Sequence, residues 1–169
     1  MIVLDPSVLP MPVGPGAAYR PAAIARDGRP VGRLACGPAG RTFRVHLELF
    51  ANRRVVIVPT GVGVGRTGCV YPARTHTPTG VIEVATDSKL RLADVFRIWG
   101  RRLRPRSLAS FSSAAPVRAY VGGRRFVGRP ADVPLTPNAQ IVVELGPYVP
   151  PHPSFVFPVR STTSLRRDP

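Results

Sequence analysis

The chain reads as an α+β domain: a small, mostly antiparallel sheet with one principal helix, flanked by Pro-rich tails. Three observations predict it. Short apolar segments alternate with polar residues at the two-residue period of half-buried strands. Only residues 92–99 carry apolar side chains at helical spacing. And 21 prolines with 16 glycines in 169 residues argue against a helical protein, because Pro breaks helix interiors and Gly weakens them. A β-grasp layout is one form such a fold can take.

Residues 1–35 carry prolines at 6, 10, 12, 15, 21 and 30 without a sustained period, so an extended or disordered N-terminal arm is expected. A single domain is expected over 36–147. It opens with TFRVHLELF, where Phe43, Val45, Leu47 and Leu49 alternate with Arg44, His46 and Glu48. Ala51–Arg54 turns the chain and Val55–Val58 returns as the partner strand. A glycine-rich loop, GVGVGRTG, leads to Cys69. It lacks the Gly-Lys-Ser/Thr ending of a phosphate loop and opens no predicted helix, so a nucleotide site is not expected.

The next strand is VIEVA, with Val81, Glu83 and Ala85 on one face and Ile82 and Val84 on the other. Thr86-Asp87-Ser88 is turn chemistry. Leu92, Val95, Phe96 and Trp99 then form one helical face, with Asp94 suited to the positive end and Gly100 to a left-handed stop. Arg101–Arg106 reads as a basic connector. VRAYV and RRFV flank Gly122-Gly123 as a hairpin, and QIVVEL, closed by Gly146, is the last strand. A Pro-rich and basic tail, 148–169, contains His152, expected in solvent.

The formal charge is +15, and Lys89 is the only lysine. Such a surface attracts phosphates and other anions. Arg101, Arg102, Arg104, Arg106, Arg124 and Arg125 are the candidate contacts for nucleic acid or another polyanion, against a bland reading as solvated charge. No run of 18 apolar residues is present, so no transmembrane segment is expected. The N-terminus does not read as a signal peptide. Cys36 and Cys69 would remain thiols in a reducing cytosol; in an oxidising compartment they could close a loop of about 34 residues.

The core resembles an uncharacterised bacterial family of exported or membrane-anchored domains. These carry a Cys, a strand like H-x-H-L-x-(I/L)-(F/Y)-x-N-G and a P-x-G-(I/V)-G loop. A second Cys, an H-T-H-D-x-x-G-(I/V)-I-H-(I/V) segment and a helix like T-L-x-x-(F/V)-F-x-I-W-G follow. The matching residues are Cys36, VHLELFAN (45–52), PTGVG (59–63), Cys69, THTPTGVIEV (75–84) and LADVFRIWG (92–100). The resemblance implies a Cys36–Cys69 disulfide, an extracytoplasmic or cell-envelope setting and a His-rich polar cluster; the chain as written, if complete, implies the cytoplasm instead.

That cluster is depleted here. Arg44 and Arg74 stand where the family has His, Thr77 replaces its Asp, Glu83 a later His and Arg91 the Thr cap. His46, His76 and Glu83, with Glu48 as a further donor, remain as candidate ligands for a divalent transition metal, opposed by the positive charge of Arg44 and Arg74. For His46 and His76 the alternative is a hydrogen-bonded imidazole on the polar face of a sheet. The leading expectation is a noncatalytic binding or structural module of the cell envelope. An Arg-rich polyanion-binding module and a metal-dependent enzyme are the alternatives.

Overall fold

The structure is a computed structural model in which residues 18–149 and 155–157 are described. His152 and the start of the N-terminal arm lie outside the described residues. The fold is α+β. Ten strands, one α-helix and a 3-10 turn at Pro130–Asp132 follow one another along the described chain.

Strand β1 (Thr42–Ala51) is the spine of the larger sheet. Its first half pairs antiparallel with β4 (Val81–Ala85), which in turn pairs with β3 (Ala73–Arg74). Its second half pairs antiparallel with β2 (Arg54–Val56), through a turn in which Asn52 and Arg53 both take positive φ. On its other edge β1 runs parallel to β10 (Gln140–Leu145), from His46 opposite Gln140 to Ala51 opposite Leu145. β10 continues to β8 (Arg118–Val121) and the edge strand β9 (Arg124–Arg125), giving the order β3-β4-β1-β10-β8-β9. The parallel central pair has no local signal, because nothing in a strand's own residues specifies a partner some 90 positions away.

Helix α1 (Leu92–Trp99) covers one face. The expected stripe of Leu92, Val95, Phe96 and Trp99 is buried, and Ile98 and Asp94 join it. Gly100 ends the helix at φ 75°, the left-handed stop. At the start, the Asp94 carboxylate accepts the backbone N–H of Arg91 at 2.9 Å, the N3-to-N-cap half of a capping box, while the Asp94 N–H donates to the Arg91 carbonyl at 2.9 Å. The core forms between α1 and the Val45, Leu47, Leu49, Ile82, Val84, Ile141, Val143 and Leu145 side of the sheet.

Arg101–Arg106 differs from the expected connector. Arg102–Arg104 is strand β5, paired with β6 (Ser107–Ala109), which pairs with β7 (Phe111–Ser112). Pro105-Arg106 is the turn. Leu103 opposes Leu108, which is fully buried, so the apolar residue between two arginines anchors the strand while the arginines stay in solvent. Phe111 meets the Tyr19 ring edge-on at 5.1 Å.

Segment 18–35 runs against the domain. Tyr19 bridges to β2, donating to Val55 and accepting from Ile57. Arg26 reaches the end of α1, Tyr71 donates to the Arg29 carbonyl at 2.6 Å, and Leu34 is buried in the core. Extended chain without a repeating pattern hides such docking, since each contact is made by a different residue type.

Candidate functional site

The face of the sheet turned away from α1 carries the residues that could act. Alternation puts Arg44, His46, Glu48 and Phe50 of β1 there, with Glu83 of β4 and Gln140, Val142 and Glu144 of β10. The chain itself returns over this face after β10. Val149 packs with Phe50, Val55 and Ile57 at one end. Phe155 and Phe157 lie at the other.

His46 is 4% exposed. Its Nε2 stands 2.9 Å from the Thr79 carbonyl oxygen, so that nitrogen carries the proton and donates. Its Nδ1 lies 3.8 Å from Glu48 Oε1. Gly80 passes close to the ring, at φ 82°; a Cβ there would sit 3.2 Å from Nε2 and press on the Leu47 carbonyl. Glycine is needed at this point both for its backbone angle and for the closeness of the imidazole. The Phe155 ring stacks on the imidazole with centroids 3.9 Å apart and planes 10° from parallel.

His76 and Glu83 meet, and His46 stands apart from them in its bonding. Glu83 faces Arg44 across β1 and Arg74 across β3. Arg74 donates to Glu83 Oε2 from Nε at 3.1 Å, and its Nη2 lies 3.0 Å from the same oxygen. His76 Nε2 is 3.3 Å away from that oxygen, on an exposed side chain. The carboxylate is thus shared between a guanidinium and an imidazole. Among the described residues, no three His, Cys, Asp or Glu side chains converge as a metal-ligand group.

Cys36 and Cys69 are joined as a disulfide, with Cα atoms 5.5 Å apart. The bond lies against the glycine-rich loop: a Cβ on Gly65 would come within 2.6 Å of Cys69 Sγ and 3.0 Å of Cys36 Sγ. Of the loop's glycines, Gly65 therefore serves packing around the disulfide and Gly63, at φ 72°, the close approach to the Ala73 backbone of β3.

The arginine candidates divide. Arg102, Arg104, Arg106, Arg124 and Arg125 are exposed and make no ion pair among the described residues. Arg101 is half-buried and donates to the Ala22 carbonyl at 3.2 Å. A cleft of about 420 Å³ at the start of α1 gathers Arg33, Lys89, Arg91 and Arg97 around Asp94 and Asp132. Much of its charge is spent internally: Arg33 and Arg97 hold Asp94, and Arg91 and Arg129 hold Asp132.

Sequence reasoning missed Gln140 and the segment that includes Phe155. Gln140 Nε2 donates to the Phe155 carbonyl and its Oε1 accepts the Phe155 N–H, both at 2.9 Å. Phe155-Val156-Phe157 is a three-residue apolar run in a Pro-rich stretch, too short to set a period. No family model matches the chain, and neither a curated protein nor a solved structure matches it.

Proposed function

We propose that this chain is a noncatalytic binding or structural module of the bacterial cell envelope, a divergent relative of the exported domains that its Cys, strand and helix motifs resemble. The observation that carries the reading is the Cys36–Cys69 disulfide. Disulfides persist in oxidising compartments and are rare where glutathione and thioredoxin keep thiols reduced. The two cysteines also occupy the positions at which the resembling domains have theirs. The noncatalytic part rests on how the polar side chains are used. His46 is committed to Thr79 and a stacked ring, and Glu83 is shared by Arg74 and His76.

Alkylation of thiols in intact cells of the source organism, before lysis, tests the compartment. Protection of both cysteines until reductant is added is the expected outcome. Two freely alkylated thiols would move the protein to a reducing compartment and end the envelope reading.

A second reading is favoured by the five exposed arginines that make no ion pair among the described residues, Arg102, Arg104, Arg106, Arg124 and Arg125. They suit a polyanion, whose phosphate or sulfate groups gain from counterion release. Retention on heparin that falls with salt, and falls again when Arg102, Arg104 and Arg106 become Gln, supports it. Unchanged retention in that variant removes the β5-β6 hairpin from the contact.

A further inference from the structure

The sheet face opposite α1 holds its own chain segment in the manner of a bound peptide. Gln140 pairs with both main-chain groups of Phe155, at 2.9 Å each, so the amide reads backbone rather than side chain. The Phe155 ring stacks on His46, whose imidazole is fixed by the Thr79 carbonyl and the close approach of Gly80. Phe157 meets Phe155 edge-on at 5.2 Å and lies under the Arg44 guanidinium, whose Cζ is 5.3 Å from the ring centroid. Val156, between them, is 59% exposed. Two aromatic side chains are thus read, the residue between them is not, and the backbone is held by an amide clamp. Backbone pairing for affinity and alternate side-chain seats for selectivity are how extended peptides are recognised on sheets.

We propose that the Arg44–His46–Gln140 face is a recognition site for an extended segment of a partner protein carrying aromatic side chains two residues apart, which Phe155-Val156-Phe157 fills in cis until the partner displaces it. The tether is the Pro-rich stretch 147–154, with prolines at 147, 150, 151 and 153. With eight residues between Gly146 and Phe155, the cis segment is held at high effective concentration beside the sheet. The proposal names the ligand class of the binding-module reading and rests on it. Its test is independent of the compartment, so loss of one does not imply loss of the other.

The test uses the full chain and a fluorescent peptide of residues 151–160, PHPSFVFPVR. The F155A/F157A chain, checked by its Trp99 emission and cooperative melting, is expected to bind the peptide saturably. The unaltered chain should bind it at least about tenfold more weakly, because the cis segment competes. A peptide with both Phe replaced by Ala should not bind, and Gln140→Ala in the F155A/F157A chain should lower affinity at least about tenfold. To remove any dependence on refolding, a protease site placed within 150–153 of the otherwise unaltered chain is cut after folding; the labelled peptide should then exchange with the released fragment. No saturable binding to either protein, or binding indifferent to the two Phe side chains, overturns the proposal. A dimer of the unaltered chain that becomes monomeric with F155A/F157A overturns the partner as occupant in favour of tail exchange between copies.

Discussion

Arg26 donates from Nε to the Ile98 carbonyl at 2.9 Å and from Nη2 to the Arg97 carbonyl at 2.7 Å, closing the C-terminal end of α1 from a position 72 residues earlier. The last carbonyls of a helix lack partners within it and carry the negative end of its dipole, so a guanidinium there answers both needs. Beside it, Ile24 packs where Gly100 lacks a side chain.

Replacing Arg26 with Ala should therefore destabilise the domain by about 1–2 kcal/mol, the scale of two partly exposed charge-assisted hydrogen bonds at a helix end. Chemical denaturation measures it. An unchanged midpoint and slope would show that the Arg26 guanidinium contributes nothing to the helix end.

The disulfide and Gly65 should behave as one unit. In the chain-entropy account, replacing Cys36 and Cys69 together by Ala costs about 3–4 kcal/mol for a loop of this size. Gly65→Ala in the oxidised protein should cost about 1–3 kcal/mol, because its Cβ has no room beside the two sulfurs. In the chain lacking both cysteines, the same glycine substitution should cost less, leaving mainly its contact with the Cys69 carbonyl. Equal costs in the two backgrounds would refute the packing relationship.

Trp99 is fully buried against Phe96 and the sheet, with ring centroids 5.7 Å apart. Trp99→Ala should cost about 3–5 kcal/mol. Its indole N–H finds no hydrogen-bond partner among the described residues. Trp99→Phe removes that unmet donor while keeping much of the ring, so it should cost under about half as much. Equal losses for Ala and Phe in thermal or urea unfolding would place the indole nitrogen in a bond.

Asp132 offers a titration. The hydrogen bond from Arg129, at 2.7 Å, is the main cause holding its carboxyl below the usual Asp range, and Arg91 adds to it. Since the folded value is depressed, the pair's contribution is present above the ordinary Asp range. It is lost as pH falls through the lowered folded value. Carboxyl NMR should show Asp132 titrating low and moving up in Arg129→Gln. A midpoint that ignores the substitution would sink the assignment.

The regular elements were legible because their signals are local. The alternation in TFRVHLELF and VIEVA, the spacing from Leu92 to Trp99 and the stop at Gly100 all reappear in the structure. The short hairpin at Arg102–Ala109 was not legible, because charge dominated a strand held by one leucine on each side. The candidate site was legible only in part. Glu83 and His76 do meet, as their seven-residue separation across a turn into β4 allows. His46 instead takes a main-chain partner and an aromatic ring supplied by residue 155, neither of which has a motif.

By itself the amino-acid order determined the fold class, the helix with its end, the sheet faces and the basic surface. These follow from periodicity and composition, which are properties of neighbouring residues. Tertiary structure alone decided the parallel pairing of β1 with β10, the docking of Arg26 on α1 and the seating of Phe155 between His46 and Gln140. Each joins residues dozens of positions apart. Such contacts depend on which surfaces the folded core brings within bonding distance, and no local pattern encodes that.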